Sequence, residues 1–91
     1  MHKFCTFRDF KTGIRNTVSE PDKWEFAKLP FPEKYFASYY PHGVGKIAFY
    51  DIVCDIERGD ITMYGNNEAL VPTVIHYDSF KSLLDALKGC V

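Results

Sequence analysis

Three cysteines and three histidines are the side chains of this sequence best suited to hold a metal or act as nucleophile and base: Cys5, Cys54 and Cys90, with His2, His42 and His76. A zinc site is usually announced by ligands paired across a tight turn, because one turn must aim two donors at one ion. Here the nearest approach is the His2-x-x-Cys5 spacing, and no Cys-x-x-Cys occurs. The expectation is therefore no metal and no cofactor. Cys54 falls on the apolar side of an alternating run, where a thiol packs rather than reacts. Cys90 lies at a chain end expected to fray. No serine occupies a Gly-x-Ser-x-Gly elbow.

The carboxylates fare no better as a catalytic pair. On a regular strand Asp51 and Asp55 would stand about 13 Å apart, beyond the roughly 9.5 Å at which two acids still share a glycoside. Asp55 and Glu57, at about 6.6 Å, sit beside a turn, where solvated charge is expected. Gly43-Val44-Gly45-Lys46 has the end of a phosphate loop but not its chemistry. Tyr40 stands where the first glycine should be, and Ile47 stands where a hydroxyl should meet magnesium. Arg58-Gly59-Asp60 has the letters of an adhesion tripeptide at a place where a hairpin turn already wants glycine. With no assembled nucleophile, base or ion site, the chain is expected not to be an enzyme.

Two features survive. Residues 1–46 carry eight Lys/Arg against five acids, whereas residues 47–91 carry three against seven. Lys3, Phe7, Arg8, Lys11 and Arg15 interleave cations with rings, the composition of a surface that stacks bases and follows phosphates. The net charge of −1 over the whole chain argues against that use. The second feature is the run from Phe31 to Tyr40. Read as a helix, it spreads Tyr35, Phe36, Tyr39 and Tyr40 over an arc of about 180°, against the stripe of about 100° that a small domain buries. Tyr39, Tyr40 and Phe36 at the arc, His42 beside it, and Asp55, Glu57 and Asp60 on the acidic half are the candidate partner-binding residues. Aromatic rings with a polar tip favour protein interfaces.

The elements that must position these residues follow from punctuation and period. At 91 residues the chain has room for one domain, 1–91. Residues 2–8 and 14–18 flank Lys11-Thr12-Gly13 and read as a hairpin. Ser19-Glu20-Pro21-Asp22 reads as a helix start leading into 23–29, although alternation there also suits a strand. Glu33 to Tyr40 reads as a short helix that stops before Pro41. Gly45 to Glu57 alternates, with Ala48, Tyr50, Ile52, Cys54 and Ile56 on one side. Ile61 to Tyr64 and Leu70 to Tyr77 read as strands, the second at an edge because of Pro72. Asp78 or Ser79 opens a helix whose Phe80, Leu83, Leu84 and Leu87 fall on one face. The expected fold is α+β: a small antiparallel sheet of about four to five strands with two or three helices packed on one face.

Arg8 and Asp9 interrupt the apolar stretch that a secretory signal needs. No run approaches the roughly 20 apolar residues of a membrane span. The expected location is the cytoplasm, with no membrane partner. Leu29-Pro30 followed by Glu33, Tyr35, Tyr39 and Gly43 resembles a Leu-Pro…Tyr…Gly segment of one immunity-protein family; it covers residues 29–43 and carries no functional residue over. The expected function is non-enzymatic binding of another protein, as a stoichiometric inhibitor, an immunity protein or a phage or plasmid accessory protein. The alternative is a small nucleic-acid-binding protein that uses the basic, aromatic N-terminal hairpin.

Overall fold

Thr6 fixes where the chain first becomes regular. Its hydroxyl accepts a hydrogen bond from the Asp9 backbone N–H at 3.1 Å, which caps a helix α1 over Phe7–Thr17. Asp9 in the first turn and Arg15 in the last complement the helix dipole. Phe10 and Ile14 bury one side of α1 completely. The fold comes from a computed structural model that describes residues 5–43, 47–65 and 73–90, with residues 89 and 90 described by their backbone alone. Residues 7–17 are thus helical, and the hairpin expected over 2–8 and 14–18 does not form; its first residues, 2–4, lie outside the described residues.

Pro21–Lys23 makes a single 3-10 turn, and the chain then enters strand β1, Trp24–Pro30, rather than continuing as a helix. Phe31 and Pro32, joined by a cis peptide bond, connect it to β2, Glu33–Tyr39. The helix expected over 33–40 is a strand because its buried positions recur every second residue, at Tyr35 and Ala37. Strands β3, Tyr50–Asp55, β4, Asp60–Gly65, and β5, Thr73–Tyr77, follow. Gly59 supplies a positive φ of 69° in the β3–β4 turn, where a side chain would be strained. Helix α2, Phe80–Cys90, closes the order. Ser79 opens it by accepting from the Ser82 backbone N–H at 3.1 Å.

The sheet is a five-stranded antiparallel meander in the order β1-β2-β3-β4-β5, so β5 is an edge strand. Register assigns its two faces. Trp24, Phe26, Tyr35, Ala37, Tyr39, Tyr50, Ile52, Cys54, Ile61 and Met63 point to one of them. Both helices lie on that face: Phe10 and Ile14 from α1 and Leu83 and Leu87 from α2 share one buried cluster with its residues. The result is the expected α+β arrangement, with two helices on one side of the sheet. The helices meet at Gly13, where an added Cβ would lie 2.8 Å from two ring carbons of Phe80. Leu84, also on α2, packs beside the core rather than within it.

Candidate functional site

The sheet face turned away from the helices carries three cross-strand rows. The middle row runs Ala27, Phe36, Val53, Thr62, His76 from β1 to β5. One flank is Glu25, Ser38, Asp51, Tyr64, Val74, and the other is Leu29, Lys34, Asp55, Asp60. Neither helix covers this face, and Tyr64, Val74 and Leu29 remain 44%, 51% and 41% exposed. Phe36 and Val53 are half-buried at the centre. The apolar side chains are therefore contiguous across the sheet rather than scattered, which is what distinguishes a patch from ordinary exposure.

The polar groups of the face are held in place. The Ser38 hydroxyl donates to Asp51 Oδ1 at 2.6 Å. Thr62 Oγ1 and His76 Nδ1 lie 3.0 Å apart, so the buried hydroxyl between Val53 and the edge strand has a partner. Asp55 Oδ1 accepts from the Arg58 backbone N–H at 3.2 Å and closes the β3–β4 turn. Asp55 also stands directly opposite Asp60 on β4 and Lys34 on β2. Two like charges face to face across a ladder oppose pairing, and here one lysine offsets them. Four acids and one lysine give the face a negative character. Phe31, in the β1–β2 connection at the same end of the sheet, is 85% exposed.

Comparison with known family models, with curated proteins and with solved structures found no match. The geometry alone therefore carries the reading of the site.

The seven candidate partner-binding residues divide between the two ends and faces of the sheet. Phe36, Asp55 and Asp60 lie on the open face, and Glu57 is exposed in the adjoining turn. Tyr39 points the other way. Its ring stacks between Trp24, 5.2 Å away, and Tyr50, 6.1 Å away, at the end of the helix-covered face. Tyr40 leaves β2 with its backbone N–H donating to the Lys23 carbonyl, and it is only partly exposed. His42 is exposed and meets the edge of Phe49 at 5.8 Å. The helical arc that was to join Tyr35, Phe36, Tyr39 and Tyr40 is absent, because a strand sends Tyr35 and Tyr39 to one face and Phe36 to the other. Tyr35 is core. Its hydroxyl donates to Glu33 Oε2 at 2.7 Å, and burial together with that carboxylate holds the phenol well above its usual range.

Of the basic set, Lys3 lies outside the described residues. Arg8, Lys11 and Arg15 form a stripe along α1, not a hairpin face. Lys11 Nζ sits 4.6 Å from the Phe7 ring centre and Arg15 lies 5.2 Å from that of Phe26, so both cations rest on rings. Phe7 packs against Tyr35 at 5.2 Å, and its ring is already engaged by the core. Sequence reasoning missed Ala27, Leu29, Val53, Tyr64 and Val74. Their signal was the second face of each alternating strand, which becomes a surface only once register aligns it. Among the described residues no three His, Cys, Asp or Glu side chains gather as a metal site, and no helix is long and apolar enough to cross a membrane.

Proposed function

We propose that this chain is a non-enzymatic protein-binding domain whose open sheet face takes an amphipathic, basic segment of another protein. The observation that supports it is the continuous apolar row Ala27, Phe36, Val53 between two flanks that carry Glu25, Asp51, Asp55 and Asp60. That apolar row crosses three strands, and the whole middle row, continued by Thr62 and His76, crosses five, a length of roughly 19 Å at about 4.8 Å spacing. A helix of about 13 residues has the same length at 1.5 Å per residue. Laid across the strands, its apolar side would cover Phe36 and Val53, and Lys or Arg on either side would meet the acids. Charge of that kind steers association, while the rings and aliphatic groups at the centre supply affinity. An inhibitor, an immunity protein or an accessory protein would each use such a surface.

Site-directed photocrosslinking tests this reading. A photoreactive residue at Val53 should capture a partner with a basic amphipathic segment in host cells, and the same residue at Lys81 on α2 should not. Phe36→Ala should then weaken binding to the captured partner by tenfold or more without unfolding the domain. Capture through position 81 and not 53 would move the interface to the helices. Loss of adducts to nuclease treatment would favour the nucleic-acid alternative and the basic stripe of α1.

A further inference from the structure

Cys5 and Cys54 are 49 positions apart in sequence, yet Cys54 belongs to the core cluster and Cys5 packs against that same cluster. Cys54 is fully buried in the middle of the core on β3. Tyr35 stands directly opposite it on β2, and the Phe7 ring packs on Tyr35. Cys5, two residues before Phe7, therefore reaches the same cluster. Both thiols are free, and each lies within hydrogen-bonding reach of the other. That contact lowers the Cys5 thiol below the ordinary range, although burial and Asp9 oppose it. The same contact and burial raise Cys54. Cys5 is only half-buried and immediately precedes the Thr6 cap of α1, so it is the member of the pair that solvent reaches. Packing alone would not require a partly exposed thiol beside a buried one; an accessible cysteine poised next to a resolving cysteine is the arrangement of a redox-responsive pair.

We propose that Cys5 and Cys54 are a reversible dithiol–disulfide pair oxidised by a hydroperoxide. The Cys5 thiolate attacks the terminal peroxide oxygen, the O–O bond breaks, and the leaving alkoxide or hydroxide takes up a proton. Cys5 is then a sulfenic acid. The Cys54 sulfur attacks the Cys5 sulfur, the S–S bond forms, the S–O bond breaks, and water leaves with the Cys54 proton. Two thiols lose two electrons and two protons in all, and the peroxide gains them. The product ties the segment before α1 to the central strand and closes a loop that contains α1, β1 and β2. A dithiol reductant returns it to the starting state.

The test uses the full chain with Cys90→Ser, so that two thiols remain. Hydrogen peroxide should lower the intact mass by about 2 Da, the two hydrogens lost on forming the bond. Digestion should yield a Cys5–Cys54 linked peptide that dithiothreitol separates, and the oxidised protein should melt several degrees higher. Cys5→Ser should abolish the mass loss and leave Cys54 reduced. Cys54→Ser should trap Cys5 as a sulfenic acid, read as a dimedone adduct. Stepwise oxygen gain without a linked peptide, intermolecular linkage alone, or two thiols still titratable after treatment would overturn the proposal. The peptide map of the two-thiol protein decides the matter even where Cys54→Ser fails to fold.

Discussion

Tyr35 shows how one hydroxyl ties a core residue to solvent chemistry. Its ring fills the space between Phe7 and Phe10, and its hydroxyl reaches Glu33 at the start of the same strand. Tyr35→Phe keeps the ring and removes the hydrogen bond, so a loss of about 1 kcal/mol is expected at neutral pH. The pH dependence has a definite sign. The folded phenol titrates above the unfolded one, so its contribution is complete below about pH 10 and falls away as pH rises beyond it. The slope is about 1.4 kcal/mol per pH unit. The difference in denaturation midpoint between the wild type and Tyr35→Phe should therefore shrink between pH 8 and pH 11. A constant difference would show that the Tyr35 phenol titrates alike in both states.

The elements are held by contacts that make individual side chains unequal. Leu83 and Leu87 of α2 are fully buried, whereas Leu84 lies at the margin of the core beside Gly13. Leu83→Ala should cost roughly 2–5 kcal/mol and Leu84→Ala clearly less, as urea denaturation of the two variants would show; equal costs would mean that α2 is rotated on its axis. Gly13→Ala sets two effects against each other. Alanine favours the helix by about 1 kcal/mol, but its Cβ would press on the Phe80 ring, and overpacking costs about 1–3 kcal/mol. A net loss of about 1 kcal/mol is expected, lowering the melting temperature by several degrees; a raised melting temperature would mean that the ring swings aside freely. The same glycine explains why α1 is hard to read. Lys11-Thr12-Gly13 has turn chemistry, yet Gly13 is there so that two helices can approach, a tertiary demand invisible in the local sequence. The opposing local signal was present: Thr6 and Asp9 at capping spacing, then Phe7, Phe10 and Ile14 at helical spacing. Strand β2 misleads for a different reason. Four aromatics in pairs suit a helix arc or two faces of a strand, and only pairing with β1 and β3 decides between them. Strands β3 and β4 and helix α2 were legible because period and turn residues agree there. Phe36, Asp55 and Asp60 were legible as candidates from residue type, but their grouping on one face depends on register, which the sequence does not state.

On the scale of the whole molecule, the charges of α1 and those of the open sheet face fall on opposite sides of the sheet, although both faces draw on both halves of the sequence. Arg8, Lys11 and Arg15 lie on α1, on the helix side of the sheet, and Glu25, Asp51, Asp55 and Asp60 lie on the open side. The small net charge of −1 thus conceals a basic stripe on α1 and an acidic sheet face, and the acidic one also carries the exposed apolar row. Asp55 and Asp60 separate a structural role from a binding one. They face each other across β3 and β4, so their repulsion works against the ladder. Asp55 also accepts the Arg58 N–H, a bond that an asparagine oxygen can keep. Asp55→Asn with Asp60→Asn should therefore leave stability unchanged or raise it by about 0.5 kcal/mol. Association with a basic partner should nevertheless slow several-fold at low salt, and the difference should fade as salt is added, because exposed charges act mainly by steering. Stopped-flow association at two ionic strengths, beside urea denaturation of the same double variant, measures both quantities. A stability loss above about 1 kcal/mol would assign the pair to the fold, being more than surface substitutions usually cost. Unchanged association at low salt would remove the acidic flank from the interface and leave the apolar row to account for binding alone.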